Sequence, residues 1–234
     1  MRVAIIQSNY LPWRGYFDLI GSADLFVVYD DVQFTKNDWR NRNLVKTQHG
    51  LQWLTVPVRH RALSQRICET EIEYVRDWRH NHRRTIAESY ARARHTDAVL
   101  DILDVAFAEK PVTISELNIR TLTAFGRYLG IHTPVRLSSE LGITGDRITR
   151  LMEVLRRVGA TTYISGPRGR GYLDERCFRD AGIVLEYKSY VYRPYPQLWG
   201  AYQAAVSIVD LVANCGTDAR YLITSETPNE VAVA

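Results

Sequence analysis

Runs of apolar, β-branched residues alternate along the chain with polar loops and with segments whose apolar positions recur at helical spacing. Val3 to Ile6 is the first such run; the polar loop Gln7 to Arg14 follows, Gly15 to Ala23 predicts a helix, and Leu25-Phe26-Val27-Val28-Tyr29 predicts a second strand. A right-handed crossover between two parallel strands places that first loop at their carboxyl ends, where open α/β sheets bind ligands. Asp30 and Asp31 close the second run and fall on the same edge. Gln52 to Val58 predicts a third strand that ends or lies at an edge, because Pro57 cannot donate to a ladder. Between the second and third runs, Gln33 to Gly50 is a polar segment.

Two helices are expected between Asp77 and Glu109, the first strongly charged and the second turning Val99, Leu100, Leu103, Val105 and Ala106 towards a core. Ser115, a capping residue type, opens a further helix with Leu117, Ile119, Leu122, Phe125 and Leu129 on one face and Gly130 at its end. Thr144 to Arg157 is another, with Ile148, Leu151, Met152 and Leu155 inward and Gly159 stopping it. Thr161 to Ile164 predicts a strand that runs into the Gly-rich loop Ser165 to Gly171; a short helix starts near Asp174, and Ile183 to Tyr187 gives a further strand. In the late apolar helix Ser207 to Asn214, Asp210 and Asn214 stand one turn apart, suited to tying neighbouring loops or to a site. Strands alternating with helices predict an α/β fold, a mostly parallel sheet with helices on both faces.

Length adds an organisation to this pattern. With 234 residues, 46% of them hydrophobic, the chain is expected to form a single α/β domain over 1–234 with a helical insertion or subdomain at 75–130. No apolar run approaches the roughly eighteen residues of a membrane helix, and residues 1–6 lead into a polar loop instead of a signal-peptide core, so a cytoplasmic location is expected. Cys68, Cys177 and Cys215 are odd in number and widely spaced, which suggests neither a disulfide framework nor a zinc site. The formal net charge is +4, and the basic residues gather between Arg76 and Arg94 and at Arg168 and Arg170. Such density suits phosphates, nucleotide sugars or nucleic acid without choosing among them. His80 and His82 diverge on a helix and sit among cations, so no metal is expected there.

Three segments carry candidate chemistry. Gln7, Asn9, Tyr10, Trp13 and Tyr16 crowd carboxamides, phenols and an indole into the first loop, with Pro12 and Gly15 to fix the backbone path. Carboxamides at a strand end are poor core material, and together these groups suit a base or a sugar. Asn37, Trp39, Arg40, Asn41 and Arg42 add guanidinium forks for phosphate or carboxylate and amides for hydroxyls, with Lys46 a few residues on. After the later strand, Ser165, Gly166 and Arg168 lie in a loop whose glycines let backbone amides approach an anion, although the Lys-Ser/Thr ending of a P-loop is missing.

The segments Ile5 to Trp13, Gly15-Tyr16-Phe17, Tyr29 to Phe34, Asp38 to Asn43 and Trp53 to Val58 resemble the WbqC-like proteins of bacteria, as do Ser115 to Ile119, Ser138 to Gly142, Tyr163 to Pro167, Gly171-Tyr172-Leu173-Asp174 and Ser207 to Leu211. The blocks span nearly the whole chain in order. The resemblance implies a protein of a sugar-antigen or natural-product pathway that attaches glycine or another acyl group to an amino sugar. Departures concentrate between Tyr90 and Asp101, where an aromatic-rich pattern becomes Ala91-Arg92-Ala93-Arg94-His95-Thr96. The first β-loop-α-β unit is also similar to the start of nucleotidylyltransferase-like enzymes with a Rossmann-type core, some of which make amides through an acyl adenylate. Their HxGH motif falls on Trp13-Arg14-Gly15-Tyr16, and neither histidine is present.

The expectation that follows is an amide-forming transferase or ligase acting on an amino sugar, a sugar nucleotide or a similar amine. Its donor is activated by ATP with magnesium or arrives as a thioester on an acyl carrier protein. Asp31 or Asp30 serves as general base or orients the acceptor. Gln7, Asn9, Tyr10, Trp13, Tyr16, Asn37, Trp39, Asn41 and Tyr172 contact the ligand, and Arg40, Arg42, Lys46 and Arg168 hold phosphate or carboxylate beside Ser165 and Gly166. Two alternatives stand: a non-catalytic protein that binds a nucleotide sugar, a carrier protein or RNA through the same loops, and a nucleotidylyltransferase-like ATP-dependent ligase. Nucleic acid is the least expected partner.

Overall fold

The computed structural model describes residues 1–234. In chain order the elements are β1 (Arg2–Ile6), α1 (Arg14–Gly21), β2 (Leu25–Val28), β3 (Arg42–Thr47), β4 (Gly50–Thr55), α2 (Trp78–Ser89), α3 (Thr96–Phe107), α4 (Ile114–Tyr128) and β5 (Val135–Leu137). They continue with α5 (Arg147–Val158), β6 (Thr162–Ser165), α6 (Glu175–Asp180), β7 (Val184–Tyr187), α7 (Ile208–Cys215) and β8 (Glu230–Val233). Six strands form one sheet in the order β5-β2-β1-β6-β7-β8, parallel throughout except for the antiparallel edge strand β8. This is a Rossmann-like α/β core.

The strands read as continuous apolar runs because both faces of the sheet are covered. Successive side chains point to opposite faces. Ala4, Phe26, Val28 and Ile164 therefore enter one core with residues of α1, α2, α3, α4 and α7. Val3, Ile5, Leu25, Val27, Tyr163 and Leu185 enter the other with Leu151, Val154 and Leu155 of α5 and Phe178 of α6. Burying a side chain such as Phe26 or Leu155 contributes about 1.5–3 kcal/mol, so the alternation itself fixes strand register.

Helix ends follow local chemistry. Asp146 caps α5 by accepting from the amides of Ile148 and Thr149, both at 3.0 Å, and Gly159 leaves the helix at φ 71°. The cap of α4 is Thr113, not Ser115: Thr113 keeps extended backbone and accepts from the Glu116 amide at 3.2 Å, while Ser115 is buried inside the first turn.

The expected third strand is corrected. Gly50 to Thr55 does not join the parallel sheet but pairs antiparallel with Arg42–Thr47 in a separate two-stranded sheet. The segment read as polar thus contains β3, whose Val45 is buried while Asn43, Lys46 and Thr47 bury polar groups with it.

Candidate functional site

From β1 the chain runs outward one way to β2 and β5 and returns to run the other way through β6 and β7, so connections diverge between β1 and β6. Ligands bind at the carboxyl edge beside such a divergence. A cleft of about 680 Å³ opens there, with an apolar lining from Ile5, Ile6, Leu151 and Tyr163. Its polar lining comes from Gln7, Tyr29, Asp31, Gln33 and Thr35, from Arg66, which is bridged to Gln33, and from Arg147, Arg150 and Tyr172. A smaller cavity of about 200 Å³ between α1 and α4 is lined by Phe17, Ile20, Leu122 and Ile131 and touches the sheet only at the amino end of β5.

Asp31 is the one carboxylate of the cleft. Arg150, the fourth residue of α5, pairs with its Oδ2 at 2.6 Å, and the Ser138 hydroxyl donates to its Oδ1 at 2.5 Å. Three elements therefore meet on one side chain: the end of β2, the turn after β5 and the first turn of α5. Its neighbour Asp30 turns away. Asp30 accepts from the Ser139 amide at 3.0 Å and the Ser139 hydroxyl at 2.9 Å, which caps the short 3-10 turn Ser138–Leu141. The Ser138 hydroxyl lies between the two acids, 3.2 Å from Oδ1 of Asp30 and 2.5 Å from Oδ1 of Asp31, and beyond it Asp30 turns to Ser139 and Asp31 to Arg150.

The first loop is held by Arg40. Its guanidinium donates to the side-chain oxygens of both Gln7 and Asn9, and burial lowers its pKa from the ordinary value. The Tyr16 hydroxyl donates to the Gln7 carbonyl at 3.0 Å, and burial raises its pKa. Gln7 thus lines the cleft, with Arg40, Asn9 and Tyr16 behind it.

Other candidates lie elsewhere. Tyr10 is fully buried, its hydroxyl 2.9 Å from Nδ1 of His82. Trp13 packs edge-on against Tyr190 and Tyr192 at 5.2 and 5.9 Å, and its indole crosses Gly15 so closely that a Cβ there would lie 2.3 Å from a ring carbon. Arg14 points to the carbonyls of Arg193 and Leu222. The place of the HxGH motif is consequently filled by an indole over the first turn of α1.

Asn41 donates to the Val56 carbonyl at 2.9 Å, Asn37 takes a left-handed turn at φ 59°, and its carbonyl accepts from Arg42. Arg42 stacks 4.2 Å over Trp53, whose ring centroid is 5.3 Å from that of Trp39 on the outer face of the hairpin. Lys46 is buried and donates to Gln197 at 3.2 Å, within a network in which Tyr90 and Tyr195 donate to Asp210 at 2.9 and 2.8 Å. Ser165 donates to the Gly166 carbonyl at 3.1 Å, and Arg168 is exposed. Tyr172 reaches the cleft, where the Arg147 guanidinium lies 3.4 Å from its ring centre.

Sequence reasoning missed Arg66, Arg147, Arg150, Tyr29 and Tyr163. On a helical projection Arg147 and Arg150 are simply the polar face of an amphipathic helix. Their spacing of three and the positive-φ glycines at 142 and 145, which set the approach to α5, were the only signal.

A model of the WbqC-like protein family matches residues 7–221. The chain belongs to that family. The match covers every residue of the cleft beyond Ile5 and Ile6. An uncharacterized protein of Mycobacterium tuberculosis is 45% identical over 221 residues, covering 93% of this chain and 95% of that protein. No solved structure matches. No helix is long and apolar enough to cross a membrane.

Proposed function

We propose that the protein is an amide-forming acyl- or aminoacyl-transferring enzyme that acts on an amino sugar or similar amine in bacterial polysaccharide or natural-product biosynthesis. The observation that carries this reading is a single carboxylate, Asp31, held by Ser138 and Arg150 within a cleft of about 680 Å³ whose other charged lining groups are all guanidiniums. A fixed carboxylate orients an ammonium or hydroxyl group of an acceptor, and fixed guanidiniums hold an anionic donor and the oxyanion that develops on it. The amine nitrogen, having lost a proton, attacks the acyl carbon. The C–N bond forms, the bond to the leaving group breaks with its electron pair, and the second nitrogen proton passes to Asp31 or to water.

In this reading Gln7 replaces the Asp30 candidate as the second acceptor-facing group, because Asp30 is occupied by the turn after β5. Arg66, Arg147 and Arg150 take the anion-holding role assigned from sequence to Arg40, Arg42 and Lys46, whose side chains are engaged elsewhere. The ligase alternative, which follows the adenylate-forming enzymes, is weakened by Trp13, because its indole lies over the helix start where such enzymes bind phosphate.

The test is mass spectrometry of products from a panel of amino-sugar nucleotides and simple amines, each with acyl-carrier thioesters or with amino acids, ATP and magnesium. A product heavier than the amine by the mass of the acid less one water, absent with Asp31→Asn, supports the reading. Tight binding across the panel without any product selects the non-catalytic binding protein.

A further inference from the structure

We infer that the cleft is a nucleoside diphosphate site in which Arg147 grips the phosphates and the open face of Tyr172 stacks the base. The inference rests on the cleft's being the working site, as proposed above, and adds the chemical class of its ligand.

Charge comes first. Of the three guanidiniums that line the cleft, Arg150 is paired with Asp31 and Arg66 with Glu69, whereas Arg147 has no carboxylate partner. Arg147 is instead laid over the Tyr172 ring at 3.4 Å. Stacking uses only the face of a guanidinium and leaves its in-plane N–H fork free, which is the geometry that grips phosphate oxygens. With Arg66 paired to Glu69 and Arg150 to Asp31, Arg147 is the unbalanced positive charge of the lining, so an anion enters with favourable field.

Ring faces come second. Tyr172 is 40% exposed although one face carries Arg147, so the other face is open. Tyr29, which also lines the cleft, keeps its hydroxyl buried with no protein partner, as does Nε of Arg150, whose guanidinium lies 5.3 Å from the Tyr29 ring centre. Buried polar atoms are rarely left unpaired, and two on one cleft wall are places for ligand hydroxyls or oxygens. A bare phosphate would engage Arg147 alone and leave both the tyrosine face and these atoms unused.

Topology comes third. In Rossmann-like sheets phosphates ordinarily meet the amides at the start of the first helix. Here the Trp13 indole covers Gly15 in that turn. The cleft lies on the opposite face of the sheet, among Ile5, Tyr163 and Leu151, and the free cation there is Arg147 on α5. The phosphate-binding role has passed from backbone amides on one face to a side chain on the other.

The experiment is calorimetric titration of the intact protein with UDP, ADP, uridine and pyrophosphate, repeated with Arg147→Gln and Tyr172→Ala. Both side chains are exposed, and matching melting temperatures without ligand confirm that the variants fold. A nucleoside diphosphate is expected to bind at least about ten-fold more tightly than uridine or pyrophosphate, since stacking and phosphate contacts each add to it. Arg147→Gln should lower UDP or ADP affinity about ten-fold and leave uridine unchanged, whereas Tyr172→Ala should weaken nucleotides and spare pyrophosphate. Preference for UDP points to a sugar-nucleotide acceptor and preference for ADP to an adenylate donor; either supports the site. Nucleotides that bind no better than pyrophosphate or uridine, or wild-type affinity in both variants, overturn it. Amide formation that persists without nucleotide affinity refutes this inference alone, and nucleotide binding without any amide product refutes the proposed reaction alone.

Discussion

Arg150 and Asp31 form an ion pair at 2.6 Å although they stand 119 positions apart in the chain, and the pair closes one wall of the cleft. Because the Ser138 hydroxyl holds the other oxygen, Asp31 is fixed from two sides and its direction into the cleft does not depend on a ligand. Asp31→Asn keeps the shape but removes the charge. It is expected to lower turnover about 100-fold or more while leaving nucleotide affinity within a few-fold of wild type. Steady-state rates alongside a ligand titration check this; unchanged turnover on a verified substrate sinks the role given to Asp31. Arg150→Gln, which leaves Asp31 with Ser138 alone, should cost about 1–3 kcal/mol of unfolding free energy in urea titrations.

Arg40 is a clamp on the first loop, and its removal should be felt there. In Arg40→Met the half-buried oxygens of Gln7 and Asn9 lose their donor, a loss of about 1–3 kcal/mol in unfolding free energy. Arg40→Lys should recover little of it, because one ammonium cannot span two carboxamides as a planar fork does. Ligand affinity should fall as well, since Gln7 lines the cleft. A loss of stability with affinity untouched would return the Gln7 to Tyr16 loop to a purely structural role.

Gly15→Ala tests whether Trp13 has taken over the start of α1. A Cβ at this position meets the indole at 2.3 Å, so the ring must move, and the variant should lose about 1–3 kcal/mol in thermal or urea unfolding. Adding Trp13→Ala removes the obstacle. The double variant should then be less destabilised than the sum of the two single changes by about 0.5–3 kcal/mol, a coupling that a double-mutant cycle reads directly. Additive losses would mean that the two side chains are independent.

The sheet was legible where burial on both faces makes a strand a plain apolar run, as in Val3 to Ile6 and Leu25 to Val28. It was obscure where a strand buries polar side chains: Asn43 and Lys46 belong to β3, but their partners, the Tyr10 and Leu11 carbonyls and Gln197, are remote in sequence. The first loop and Asp31 were found because strand ends that carry amides and acids contradict core packing. Which of two adjacent acids faces the cleft was decided by Ser138, Ser139 and Arg150, more than a hundred residues away, and no local pattern encodes that choice. Arg40 looked like a phosphate ligand from its own segment and proves to be the support of Gln7 and Asn9, because a guanidinium fork fits two carboxamides as well as one anion.

His82 predicts how the fold responds to acid. It is buried against the Tyr10 hydroxyl, and burial pushes its pKa from 6.5 down to about 4, while its contact with the Thr55 backbone opposes the shift. The neutral ring accepts from Tyr10 at Nδ1 and keeps its other nitrogen for Thr55. In the unfolded chain the same imidazole takes a proton near pH 6.5, whereas the folded one resists until about pH 4. Between those values the unfolded state binds more protons, so stability is whole above pH 6.5 and declines as pH falls towards 4, by up to about 3 kcal/mol from this residue. Carboxylates titrate in the lower half of that window too, so the quantity to measure is the difference between wild type and His82→Gln in urea midpoints at pH 7.5, 6 and 5. The introduced carboxamide takes no proton in this range but still offers Tyr10 an oxygen. The variant should start less stable at pH 7.5 and lose less on acidification, the two curves converging; parallel curves would show that His82 does not carry the acid response.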